Sequence, residues 1–167
     1  IMSHRSMATL SLPAGRRTAM QQSLALATRL RLELGLGNIP LKTLQRRYEK
    51  TVSRYVVIDG TNVHYTDEGH GPTLVLLHGV MASLHTWDGW VEILRPHFRI
   101  VRVDLPGFGL TGPLARGSYT PEYALEFIEQ FRQHLGLQRF HLAGNSLGGF
   151  LSWFYAVHHP ERVERLV

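Results

Sequence analysis

Thr73-Leu74-Val75-Leu76-Leu77 is a continuous apolar run with turn residues on both sides. That pattern predicts a strand buried on both faces. Phe98-Arg99-Ile100-Val101-Arg102-Val103 and Phe140-His141-Leu142-Ala143 predict two more strands, and Val163 opens a further one. Ahead of them, Tyr55-Val56-Val57-Ile58, the turn Asp59-Gly60 and Val63-His64-Tyr65 predict a β-hairpin, and Gly69-His70-Gly71-Pro72 a second turn. Helices are expected over residues 84–95, over residues 120–135 after the cap-and-proline pair Thr120-Pro121, and from Leu147 to His158. Strands alternating with helices give an α/β fold, a mostly parallel sheet with helices on both faces. Residues 20–50 read as one or two helices with a break at Gly35-Leu36-Gly37-Asn38 and a restart at Pro40, although their apolar positions form no single stripe.

Charge divides the chain where the pattern changes. Residues 1–54 hold ten Lys/Arg against two acidic residues, Glu33 and Glu49, a net +8; the rest holds eight basic and eleven acidic residues, a net −3. Two regions follow, a basic and partly helical arm over 1–53 and an α/β body over 54–167. The arm reads as a solvated helical segment, so nucleic acid is not expected as a partner and membrane contact goes no further than touching anionic lipid. Nowhere do about 18 apolar residues run without charge. Arg16-Arg17 followed by Ser23-Leu24-Ala25-Leu26-Ala27 has the outline of a secretory leader, but the stretch is short and runs into Arg29 and Arg31. The chain opens on Ile1 with Met2, Met7 and Met20 close behind, so Ile1 is not read as a biological start. Cysteine is absent, which excludes disulfides, thiolate metal sites and a cysteine nucleophile and fits a cytoplasmic location.

The chemistry gathers in Phe140-His141-Leu142-Ala143-Gly144-Asn145-Ser146-Leu147-Gly148-Gly149-Phe150. It contains G-x-S-x-G between a predicted strand and a predicted helix. A serine on such a turn needs strained backbone for its hydroxyl to project free of the sheet, and the residues two before and two after crowd each other. Gly144 and Gly148 are therefore small for steric reasons. Starting the helix at the serine leaves the Leu147 N–H free to meet a reacting oxygen, with the helix dipole behind it. Two other readings compete: a glycine-rich turn with Ser146 as a mere cap, and a phosphate loop, which fails for want of a Lys-Ser/Thr pair at the right spacing.

Leu77-His78-Gly79-Val80-Met81-Ala82-Ser83 leaves the first buried strand at its carboxyl end, where open α/β sheets hold their ligands. The backbone N–H of Val80 can supply a second donor to a developing oxyanion, while the His78 side chain and Gly79 hold the loop. Asp104, opening Asp104-Leu105-Pro106-Gly107-Phe108-Gly109, could pass for a catalytic acid but reads better as a group that orders its loop. Met81, Trp87 and Trp153 are candidate apolar pocket residues.

Together, Leu76-Leu77-His78-Gly79, the Asp104 to Gly109 segment and Gly144-Asn145-Ser146-Leu147-Gly148-Gly149 resemble the α/β-hydrolase superfamily, as do Ser83-Leu84-His85-Thr86-Trp87 and Pro160-Glu161-Arg162-Val163. The resemblance spans about residues 54–167. It implies hydrolysis of a small, apolar, ester-like substrate through an acyl-enzyme on Ser146, an oxyanion hole from the N–H groups of Val80 and Leu147, and neither metal nor organic cofactor. Relatives that cleave haloalkanes or epoxides carry Asp at the nucleophile position, and Ser146 argues against both. A carbon–carbon bond hydrolase or perhydrolase on the same scaffold is one alternative; a non-catalytic fragment or binding module is another.

In that superfamily the acid and the histidine follow the serine on later strands. Residues 147–167 contain only Glu161, Glu164, His158 and His159 of those types, all on or just past the helix that leaves Ser146. The resemblance therefore implies a fold incomplete at its C-terminal side, with base and acid outside these residues.

Overall fold

The hairpin forms. In a computed structural model, which describes residues 26–27, 29–30, 39–115 and 117–167, β1 (Ser53–Ile58) pairs antiparallel with β2 (Thr61–Gly69). Asp59 and Gly60 both take positive φ (47° and 78°), the conformation that suits a two-residue turn to the twist of its strands. Ahead of it lies α1 (Leu41–Tyr48). The expected break at residues 35–38 and most of the expected helix before it fall outside the described residues. Residues 44–167 make one compact unit.

Downstream come β3 (Thr73–Leu77), a 3-10 turn (Leu84–Trp87) running into α2 (Asp88–Leu94), β4 (Arg99–Val103), α3 (Pro121–His134), β5 (Phe140–Gly144), α4 (Leu147–His158) and β6 (Val163–Leu166). One sheet holds all six strands in the order β1-β2-β4-β3-β5-β6. The pairs β4–β3, β3–β5 and β5–β6 are parallel; β1–β2 and β2–β4 are antiparallel.

Alternation along the central strands divides the core. Val75, Leu77, Val101, Val103 and Leu142 face one side, against Phe127, Ile128 and Phe131 of α3 and Tyr155 of α4. Leu74, Leu76, Ile100 and Ala143 face the other, against Trp87 and Val91. Trp87, a candidate pocket residue from the sequence, belongs to this second core. The helix boundaries follow local chemistry. Thr120 Oγ1 accepts the Tyr123 N–H (3.2 Å), with Pro121 at the first helical position. At the other end the Gly136 and Leu137 N–H groups return to Gln133 O and Arg132 O, closing the helix.

Two charged knots hold the helices, one to the sheet and one to each other. Arg102 shares its face of β4 with Ile100 and is 1% exposed, which would be costly for an unpaired charge. Its guanidinium bonds Glu68 Oε1 (2.5 Å), Thr66 Oγ1 (3.0 Å) and Asp88 at the start of α2. On the opposite face Glu129 of α3 accepts from Arg132 and, at 2.8 Å, from Tyr155 OH of α4.

Arg132 first, then Tyr155 and Gln133, depress the Glu129 carboxyl from 4.5 to about 2, against the effect of burial. A depressed carboxyl stabilises the fold above its unfolded pKa, and the contribution is lost as pH falls through the folded value. Glu129→Gln is therefore expected to lower the unfolding free energy at pH 7 by about 2 kcal/mol. The gap between parent and variant should close as pH falls from 4.5 towards about 2; urea melts of both proteins across that range check it.

Candidate active site

Parallel order places the carboxyl ends of β3, β4 and β5 along one edge of the sheet. After β3 the chain steps to one side to make β4, then crosses to the other side of β3 to make β5. Ligand crevices form at such a switch point. The turn after β3 and the turn after β5 stand side by side there.

Ser146 joins β5 to α4 with φ 52° and ψ −113°, one of three non-glycine residues with positive φ among those described. Such backbone costs of order 1–3 kcal/mol and persists only where the surroundings force it. The forcing contacts are explicit. The Asn145 N–H is tied to Leu77 O (3.1 Å) at the end of β3, and the Phe150 N–H to Ser146 O (2.9 Å) in the first turn of α4. A Cβ on Gly144 would lie 2.2 Å from Gly148 O, and one on Gly148 would lie 2.1 Å from Leu77 O and 2.7 Å from His78 O. Both positions are steric vacancies that only glycine fills.

Ser146 itself is exposed, and its hydroxyl caps no backbone N–H. Helix geometry leaves the N–H of Leu147, the first residue of α4, without an intrahelical partner. Gly79 packs onto the elbow: a Cβ there would sit 3.2 Å from Ser146 Cβ. Val80 follows directly, and Met81 after it also has positive φ (54°). Val80 is thus one residue from the contact with Ser146, and Leu147 is the residue after the serine.

The turn carrying Val80 is fastened at both ends to the exit of β4. His78 is fully buried; its Nε2 accepts the Leu105 N–H (3.0 Å), leaving Nδ1 to donate to Gly79 O (2.7 Å). Burial lowers its pKa, which favours the neutral ring these bonds require. At the far end Asp104 Oδ1 accepts the Leu84 N–H (2.8 Å), while Oδ2 accepts the Leu110 N–H (2.8 Å) and pairs with His64 Nδ1 (2.7 Å). Burial opposes ionisation of Asp104, but His64 and the two N–H groups outweigh it and hold the carboxyl below its usual range.

His64 was no candidate in the sequence. Its Nε2 meets Ser53 Oγ at 2.7 Å, so Ser53, His64 and Asp104 form a hydrogen-bonded Ser-His-Asp chain that does not include Ser146. Ser53 lies on ordinary strand, begins no helix, and its Oγ also accepts the Lys50 N–H (2.9 Å). Among the described residues, no histidine ring is within hydrogen-bonding distance of Ser146 Oγ. His158 is bonded to Phe154 O, and His159 lies 3.9 Å from Glu161. No cluster of three or more His, Asp or Glu side chains is placed to hold a metal, and no helix is long and apolar enough to cross a membrane, among those residues.

An apolar cleft of about 190 Å³ opens beside Leu147, lined by Leu105, Phe108, Tyr119, Phe127 and Phe150 among others.

The family model for the alpha/beta hydrolase fold matches residues 72–167. A pimeloyl-[acyl-carrier protein] methyl ester esterase from Vibrio vulnificus is 39% identical over 107 residues, 64% of this chain and 40% of that protein. A 2-hydroxy-6-oxononadienedioate/2-hydroxy-6-oxononatrienedioate hydrolase from Paraburkholderia phymatum is 34% identical over 128 residues, 71% of this chain and 44% of that one. The crystal structure of a hydrolase from Pseudomonas aeruginosa superposes with a TM-score of 0.65 at 31% identity, covering 71% of this chain and 45% of that one. The chain thus spans less than half the length of these relatives.

Crowding at the elbow sets a mutational contrast. Gly148→Ala is expected to destabilise the protein by about 3 kcal/mol or more, because its Cβ meets backbone that cannot retreat. Gly89→Ala, exposed in α2 with nothing within 4 Å of its Cβ, should stabilise by about 0.5–1 kcal/mol through helix propensity. Denaturant melts of the two variants beside the parent read both.

Proposed function

The chain belongs to the α/β-hydrolase fold family, and from that premise we propose that it carries the nucleophile half of a serine hydrolase of ester-like bonds. One observation carries the reading: Ser146 is exposed at a strained strand-to-helix turn, with glycines where no Cβ fits. In the proposed reaction Ser146 Oγ attacks the ester carbonyl carbon as its proton passes to a general base. The carbonyl oxygen takes up the negative charge between the Val80 and Leu147 N–H groups. Collapse expels the alcohol, which takes that proton, and leaves an acyl-serine; water repeats the sequence and releases the acid. The cleft of about 190 Å³ beside Leu147 suits a small apolar part of the substrate. The base and its acid partner come from residues other than those described. That one relative's name describes an esterase and another's a hydrolase of oxo-dienedioates keeps carbon–carbon cleavage as a second reading, since both run on the same scaffold.

Purified 1–167 is expected to show negligible turnover of short p-nitrophenyl esters, since loss of the base costs on the order of 10⁶ in rate. An ethyl fluorophosphonate, which reports nucleophilicity without turnover, should nonetheless form a slow adduct at Ser146, read by peptide mass spectrometry and abolished by Ser146→Ala. Robust ester turnover would show that a base is already in place, and an adduct at Ser53 in preference to Ser146 would move the nucleophile to the His64–Asp104 pair.

A further inference from the structure

On the Val80 side of the elbow lies a larger cleft, of about 590 Å³, to which the reaction above gives no role. Volumes of a few hundred Å³ or more are typical of small-molecule sites. One wall is the stretch that follows the oxyanion turn, including Met81, Ser83 and Thr86; the floor includes Asp104 and Leu110; the opposite wall is Leu44 and Tyr48 of α1. Both residues of that opposite wall precede the part of the chain that the family model matches. The second half of α1 is fixed there by specific bonds: His85 Nε2 donates to Tyr48 O (3.1 Å), and Lys50 Nζ reaches Asp88 Oδ1 (2.7 Å).

Met81 is the second, independent sign of a ligand. It combines left-handed backbone with a side chain 93% exposed on the rim of the cleft, so strain is spent to hold an apolar chain in water. Gly79 touches the elbow, and two residues span at most about 7 Å, so the rim starts within reach of Ser146.

The lining also states what it would hold. Leu44, Tyr48, Met81 and Leu110 offer carbon. Ser83 Oγ caps no backbone N–H and, with Thr86, offers a neutral hydroxyl. The Nε2 of His85 is already engaged by Tyr48 O. Among the described residues no Lys or Arg lines the cleft, while the Asp104 carboxylate lies at its floor, so an anion is disfavoured. We infer that α1 and the Met81 turn form a subsite for the larger, neutral, amphipathic part of the substrate, its alkyl chain against Tyr48 and Met81 and its uncharged polar group at Ser83 and Thr86. The word substrate rests on Ser146 being the nucleophile; the binding does not.

The test is therefore made in the Ser146→Ala background, with methionine methyl groups labelled with ¹³C and monooctanoylglycerol titrated below its micelle concentration. The Met81 resonance, assigned by its loss in Met81→Leu, should move saturably while those of Met2, Met7 and Met20 stay. Tyr48→Ala should weaken binding about tenfold or more, Tyr48→Phe should retain it, and Ile93→Ser, on the exposed side of α2, should leave it unchanged. Variants that unfold in one cooperative urea transition, like the parent, are folded, and those are compared. A Met81 methyl that does not respond, equal affinity in Tyr48→Ala, or four methionines shifting together as in unspecific adsorption would each overturn the inference. Failure of the nucleophile reading would appear instead as an absent Ser146 adduct with Met81 binding intact.

Discussion

Everything at the active edge depends on how closely the first turn of α4 approaches the end of β3. At Gly148 the helix backbone lies so near Leu77 O and His78 O that a single methyl would overlap both. That approach fixes where α4 starts, and the start of α4 constrains Ser146, which passes from β5 into the helix with positive φ. Leu147 then begins the helix beside the turn that carries Val80. One missing Cβ therefore determines three features that would otherwise have to be arranged separately: the exposed hydroxyl, the open helix terminus and the contact with Gly79.

Rigidity of the neighbouring turn comes from a different source. Residues 79–83 have no regular secondary structure, and a free loop of that kind would blur any donor it carried. Here both ends are tied to the exit of β4, through His78 to the Leu105 N–H and through Asp104 to the Leu84 N–H. Arg102 extends the same tether by holding Asp88, so that α2 cannot drift. The strand between the hairpin and β3 thus serves as the fixed frame on which the proposed oxyanion turn is stretched.

The elements and the elbow were legible in the sequence because their signals are local. Apolar runs bounded by turn residues marked β3, β4 and β5, Thr120-Pro121 marked the start of α3, and two glycines spaced about a serine marked the crowding. What could not be read was the set of long-range polar contacts. His64 alternates with Val63 and Tyr65, so a period-2 reading puts it on the opposite face from them, towards solvent. It is buried because Tyr55 of β1 packs on it and Asp104, 40 residues away, pairs with it. Arg102 likewise has the pattern of an exposed strand residue and is covered only because Glu68 and Asp88 converge on it. Trp87 is mostly in the core for the converse reason, since α2 folds over the sheet above it, although one edge also lines a cleft with Ala143 and Asn145.

The Ser53–His64–Asp104 chain sharpens what distinguishes a site from a network. It has the residue types and the hydrogen bonds of a hydrolytic triad, and among the described residues Ser146 has neither partner. Yet a hydrogen-bonded serine is not sufficient for acyl transfer; charge appearing on the carbonyl oxygen has also to be met by donors already aimed at it. Around Ser53 the nearest backbone donor, the Lys50 N–H, is spent on the serine oxygen itself, and Asp104 is occupied in holding two loop amides. Around Ser146 the converse holds: no base is in reach among the described residues, but the start of a helix adjoins it and a clamped turn packs on it. A base is a single side chain, which a later strand can bring into reach. A pair of aimed backbone donors needs strand, turn and helix together, and β5, the Ser146 turn and α4 bring those three together.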